Sequence, residues 1–77
     1  MTNYEMLLRS LYRDYFLGLG EAEHQINYQK SHKTFYKQEY FIKLYGVVAL
    51  RDVLRKVFEY SKQDITDLEK EIKHEQD

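Results

Sequence analysis

The ten residues Tyr40-Phe41-Ile42-Lys43-Leu44-Tyr45-Gly46-Val47-Val48-Ala49 hold a single charge, on Lys43. No apolar run in the chain approaches the roughly 20 residues that a membrane span requires; the longest, Gly46–Leu50, reads as a core segment. Its flanks set its secondary structure. Tyr36, Tyr40, Leu44, Val47, Leu50 (or Arg51), Leu54 and Phe58 recur at spacings of three or four, widened by Val53 and Val57. That period predicts an amphipathic helix over residues 35–61. Phe41, Tyr45 and Val48 project from the opposite side of the same helix. A helix that is apolar on two sides needs cover on two sides.

Towards the N-terminus, the polar stretch Asn27–Thr34 interrupts the pattern, and its second half reads as the turn, with Ser31 or Thr34 as the next N-cap. Before it, Tyr4, Leu8, Leu11, Tyr15, Leu19, Ala22 and Ile26 form a second stripe, with Glu5, Arg9, Arg13 and Glu23 opposite. This predicts a helix over about residues 4–30. Gly18 and Gly20 leave two readings open: a C-cap and turn with a new helix from Glu21, or one bent helix. The stripe keeps its phase across both glycines, which favours the bent helix. A fold-back near residue 32 puts Gly18 and Gly46 equally far from the turn, where they could meet across a hairpin.

Towards the C-terminus, Thr66 with Glu69 has capping-box spacing, and Asp67 suits the positive end of a helix dipole. A short third helix over 65–73 follows, carrying only Ile65, Leu68 and Ile72 as apolar residues. Such a helix docks weakly or frays, and residues 74–77 are expected to be disordered. The expected fold is therefore all-α: an antiparallel helical hairpin of a bent first helix and a long second one, with a short third helix. Dimerisation would complete the bundle.

Composition agrees. Seventy-seven residues make one domain. Zero Pro, three Gly and abundant Leu, Lys, Glu and Arg favour helix, and 16% aromatic content argues against disorder. The chain has no Cys, so no disulfide or thiolate site supports it. No basic segment leading into an apolar one opens the chain, so the expected location is cytoplasmic, without a membrane span.

Candidate chemistry is sparse. Glu21 with His24, and Glu71 with His74, repeat the Glu-x-x-His spacing that di-iron helical bundles use. Glu21 and His24, however, lie about 120° or more from the apolar stripe, on the solvent side, and Glu71 and His74 sit in a charged terminal turn. Ser10, Ser31 and Ser61 lack an activating base or a Gly-rich elbow, and Gly18-Leu19-Gly20 lacks the rest of a phosphate loop. Neither catalysis, a metal, a cofactor nor a small-molecule substrate is expected.

Two surfaces compete for a binding role. Tyr40, Phe41, Leu44, Tyr45 and Val48 form a candidate protein interface, because a two-helix hairpin cannot cover a helix from every direction and three side chains of the tail are too few to do so. Its occupant would be a second copy, another protein, or both. Tyr suits such contacts, offering large area at low rotamer cost. The chain then reads as an adaptor, inhibitor or regulator, with a Lys-, Tyr- and Ile-bearing composition that suits an AT-rich bacterium, a phage or a mobile element. The alternative is nucleic-acid binding. Net charge is −1, yet residues 29–62 hold eight basic against three acidic side chains. On a continuous helix Lys33, Lys37, Arg51, Arg55 and Lys62 fall within about 40° of one another, a line that could follow phosphates.

Overall fold

The computed structural model describes residues 1–28 and 32–75. It contains three helices: α1 (Asn3–Tyr28), α2 (Lys33–Val57) and α3 (Lys62–His74). The chain is all-helical over those residues, and α1 and α2 pack along most of their length as a hairpin. No helix among them is long and apolar enough to cross a membrane.

Helix α1 starts where Thr2 Oγ1 accepts the backbone N–H of Glu5 at 3.1 Å. It continues unbroken through Gly18 and Gly20, so the reading with a turn there is excluded. The glycines on the hairpin seam do not face each other. A Cβ on Gly46 would lie 2.3 Å from Cδ1 of the Tyr15 ring, and one on Gly18 would lie 2.9 Å from Cε of Lys43. Each glycine seats a side chain from the opposite helix, and the two guests meet: the Lys43 ammonium lies 4.9 Å from the centre of the Tyr15 ring. Tyr15 is thus level with Gly46, and Gly18 with Lys43, which fixes the hairpin register.

Helix α2 begins earlier than expected and ends earlier. His32 stands at its N-cap in a left-handed conformation (φ 60°) without a side-chain cap. Thr34 lies inside the helix and not at its cap, while Ser31 lies outside the described residues. At the other end Glu59 is also left-handed (φ 59°), and the Leu54 carbonyl accepts the N–H groups of both Phe58 and Tyr60. That reversal ends α2 at Val57 and not near residue 61.

The chain then enters α3 through a different capping box from the expected one. Ser61 Oγ accepts from the Asp64 N–H at 3.0 Å, and an Asp64 carboxylate oxygen accepts from the Ser61 N–H at 2.8 Å. Thr66 and Glu69 play no such part; Thr66 is mid-helix, its hydroxyl donating to the Lys62 carbonyl. Nor does α3 dock weakly. Ile65, Leu68 and Ile72 are all buried, in one core with Tyr12, Val47 and Leu54. His74 is helical, and Gln76 and Asp77 lie outside the described residues.

The sequence stripe of α1 is corrected at its outer end. Tyr12 is fully buried, whereas Tyr4 is 77% exposed and Leu11 is also exposed. The reason is that α1 has two neighbours: Tyr15 faces α2, while Tyr12, about 60° round the helix on the α3 side, meets both.

The seam glycines allow a direct check. Gly46→Ala pushes a Cβ into an aromatic ring and should destabilise the fold by about 1–3 kcal/mol, even after the helix-propensity gain of alanine. Gly20 has open space around it, so Gly20→Ala should instead stabilise by roughly 0.5–1 kcal/mol. Urea unfolding midpoints should move in opposite directions.

Candidate functional site

Two polar clusters of like design seat α3 on the hairpin. In the first, the Tyr12 hydroxyl of α1 donates to Glu69 of α3, and Arg51 of α2 donates to that carboxylate at 2.9 Å and to the Tyr12 oxygen at 3.3 Å. In the second, the Tyr60 hydroxyl donates to Glu5 at 2.7 Å and accepts from Arg9 at 3.0 Å, while Arg9 reaches Glu71 at 3.3 Å. Each places a tyrosine between a carboxylate and a guanidinium. Arg13 adds an ion pair to Glu75 at 3.2 Å. Because Arg9 pairs with Glu71 and Arg13 with Glu75, four residues on in each helix, α3 runs alongside α1 in the same direction.

The electrostatics follow from this seating. Burial, reinforced by the bond donated to Glu69, pushes the Tyr12 hydroxyl up to about 12, with Arg51 opposing. Burial and the bond to Glu5 raise Tyr60 too, against Arg9. The bonds from Arg51 to Tyr12 and from Arg9 to Tyr60 in turn hold both guanidinium groups above their ordinary value. Nothing in these clusters forms an unpaired nucleophile or base. They are joints.

The position of α3 decides which apolar surface stays open. Phe41, Tyr45 and Val48 are each more than half exposed, with Tyr45 at 69% and Ile42 beside them. The Phe41 and Tyr45 rings stack at 6.4 Å between centroids, and Tyr40 meets Phe41 edge-on at 5.7 Å. Tyr40 and Leu44 are half-buried at the margin of this group. The five residues singled out from the sequence are thus contiguous, although only three of them form its exposed centre.

The basic line does not survive as a line. α2 ends at Val57, so Lys62 belongs to α3, and Arg51 is held by Tyr12 and Glu69. Lys33 and Lys37 lie at the far end of α2. Arg51, Arg55 and Lys62 nevertheless border one shallow concavity with Ile65, Thr66 and Glu69. Glu21, His24, Glu71 and His74 are exposed, and no three His, Asp or Glu side chains converge on a metal-sized site among the described residues.

Sequence reasoning missed Tyr12, Tyr60, Glu5, Arg9 and Glu69 as a set. The available signal was a tyrosine off the main stripe with acids and arginines at helix spacing, which identifies no partner until the third helix is placed.

The Tyr12 joint makes a pH prediction. A phenol whose value is raised on folding contributes stability that is complete below about 10 and is lost as pH rises through about 12. Thermal stability should therefore fall over that window, by on the order of 2 kcal/mol from Tyr12. In Tyr12→Phe that part of the fall should vanish, along with the last-titrating component of tyrosinate absorbance, and baseline stability should drop by about 1–3 kcal/mol because Glu69 loses a donor. Comparison of the chain with protein-family models, with curated proteins and with solved structures gives no match.

Proposed function

We propose that the protein is a helical interaction module that binds another protein through the exposed face of α2 centred on Phe41, Tyr45 and Val48, acting as an adaptor, inhibitor or regulator. The observation that carries this reading is that α3 packs elsewhere: its three apolar residues all enter the core with Tyr12 and Leu54, leaving the aromatic group uncovered. Two stacked rings flanked by β-branched and aliphatic side chains are of the kind that forms the centre of protein interfaces. Three charged residues frame the group, Lys37 towards one end and Asp52 and Lys56 towards the other, which suits a polar rim.

A photo-crosslinking phenylalanine analogue at Tyr45 should capture one discrete second protein in cells that make this chain naturally. The same analogue at exposed Glu23 should capture none, and Phe41→Glu should abolish the Tyr45 product. Because Phe41 and Val48 are exposed, Phe41→Glu and Val48→Glu should each change folding stability by no more than about 0.5 kcal/mol. No product from Tyr45, or the same product from Glu23, would refute the assignment.

A second reading rests on the concavity that Arg51, Arg55 and Lys62 share, which offers cations from two helices to a phosphate backbone. Glu69 within it weakens the field. On this reading, binding to a single-stranded oligonucleotide should fall steeply with added salt, and Arg55→Ala with Lys62→Ala should flatten that dependence; absence of binding at low salt rejects it.

A further inference from the structure

The apolar stripe of α2 keeps its phase through the reversal that separates it from α3. Laid on one straight helix, Val47, Leu50, Phe58, Ile65, Leu68 and Ile72 all fall within about 40° of Leu54. These are the residues that α2 and α3 give to the core, either buried or packed against it. A turn does not require two helices to share a phase, whereas a single helix does. The turn residues are also those of a helix interior. Neither Gly nor Pro occurs after Gly46, and positions 58–61 read Phe-Glu-Tyr-Ser. In the reversal the Leu54 carbonyl accepts from both Phe58 and Tyr60, and Glu59 is left-handed at φ 59°. Glycine is the usual occupant of that position, because a Cβ there crowds the following carbonyl. Glu, a good helix former, is strained in the turn and unstrained in a helix. Ser61 and Asp64 favour the turn instead, through their capping box. The segment is thus suited to two conformations, folded back and straight.

We infer that residues 58–61 are a hinge about which α3 exchanges between two copies of the chain, α2 and α3 straightening into one helix in each. The occupant of the groove is specified, because groove and filler belong to the same sequence. The seat against Tyr12 and Leu54 takes a helix with Ile65, Leu68 and Ile72 on one side and Glu69 and Glu71 beside them, and α3 is that helix. Straightened, its 13 residues extend roughly 20 Å past the open end of their own hairpin, where their apolar side lacks cover. The direction of packing lets a second copy supply it. In the folded-back chain α3 runs antiparallel to α2. Two straight helices laid antiparallel about a two-fold axis at the hinge therefore set each α3 on the other copy's α2 in that same sense. The bonds of Glu69 with Tyr12 and Arg51, and the Arg9–Glu71 and Arg13–Glu75 pairs, re-form between copies. Only the hinge differs: the capping box and the seating of Tyr60 on Glu5 and Arg9 belong to the folded-back form. Phe41, Tyr45 and Val48 lie about 120–180° round α2 from Leu54 and stay open in either form, so exchange and partner binding are separable.

Concentration decides between the two forms. A short linker holds α3 at an effective concentration in the mM range, so refolding the full chain at about 1 µM should give closed monomer and refolding at about 1 mM should trap exchanged dimer. Arg13 and Glu75 are half-exposed and paired at 3.2 Å, and the chain has no Cys. A chain with Arg13→Cys and an isotope-labelled chain with Glu75→Cys, refolded together and treated with a short bis-maleimide, therefore report the exchange. At the higher concentration the mixed dimer, identified by mass, should exceed either like pair by at least about tenfold, and at the lower it should be absent. Glu59→Gly should reduce the mixed dimer at least about tenfold relative to Glu59→Ala, because glycine relieves the turn and weakens the helix. The double variant Arg13→Cys/Glu75→Cys, closed by the same reagent at the lower concentration, should stay monomeric at the higher. No excess of mixed dimer over the like pairs overturns the inference. So does an equal yield from the two Glu59 variants, or dimerisation of the closed double variant.

Discussion

Tyr12 is the residue on which the arrangement of the three helices turns. Its ring is wholly buried, yet its hydroxyl must keep a partner, because an unpaired phenol in a core costs about 1–3 kcal/mol. The placement of α3 satisfies both demands: Ile65, Leu68 and Ile72 join the ring in the core, and Glu69 accepts from the hydroxyl. Arg51 then neutralises the carboxylate, so one atom cluster draws on α1, α2 and α3 at once. Tyr60 repeats the device nearer the start of α1. A hydrophobic patch alone would let a short helix slide along the groove; the directional bonds give it one position.

The hairpin register is a precondition for that cluster. Tyr12 and Arg51 can share Glu69 only if α1 and α2 are held in step, and the step is set where Tyr15 lies on Gly46 and Lys43 on Gly18. Replacing side chains by hydrogen at two points lets an aromatic ring and a lysine stem fill the space that two Cβ atoms would have occupied. Backbone approach, ring placement and the cation over the ring face are one interaction read from three sides. The seam is therefore specific although much of it is built from bulky, interchangeable apolar residues.

Much of this was legible from residue spacing, and the exceptions have definite causes. The centre of the α2 stripe and the exposure of Phe41, Tyr45 and Val48 follow from a period near 3.6, which long helices obey, whereas Val53 and Val57, read as widening that stripe, are exposed. The phase across Gly18 and Gly20 spoke correctly for a continuous α1. Tyr12 escaped because a single stripe describes a helix with one neighbour, whereas α1 has two. The start of α3 was misplaced because Ser61/Asp64 and Thr66/Glu69 both have capping spacing; the left-handed turn at Glu59, a conformation that costs a non-glycine residue roughly 1–2 kcal/mol, selects the first. The basic line failed for the same reason, since it assumed a helix unbroken to Lys62. Three apolar residues in α3 pointed to weak docking because the two polar clusters that also seat the helix were not foreseen.

The bonds between Glu5 and Tyr60 and between Arg9 and Glu71 join residues near opposite ends of the chain. During synthesis the hairpin can therefore form while α3 is still inside the ribosome, with the Tyr12–Leu54 groove open to water. Closing it means ordering nearly the whole chain into a loop, an entropic cost that grows only slowly with loop length. Because α3 completes the core, a chain translated or truncated only as far as the hairpin presents an apolar notch that α3 conceals.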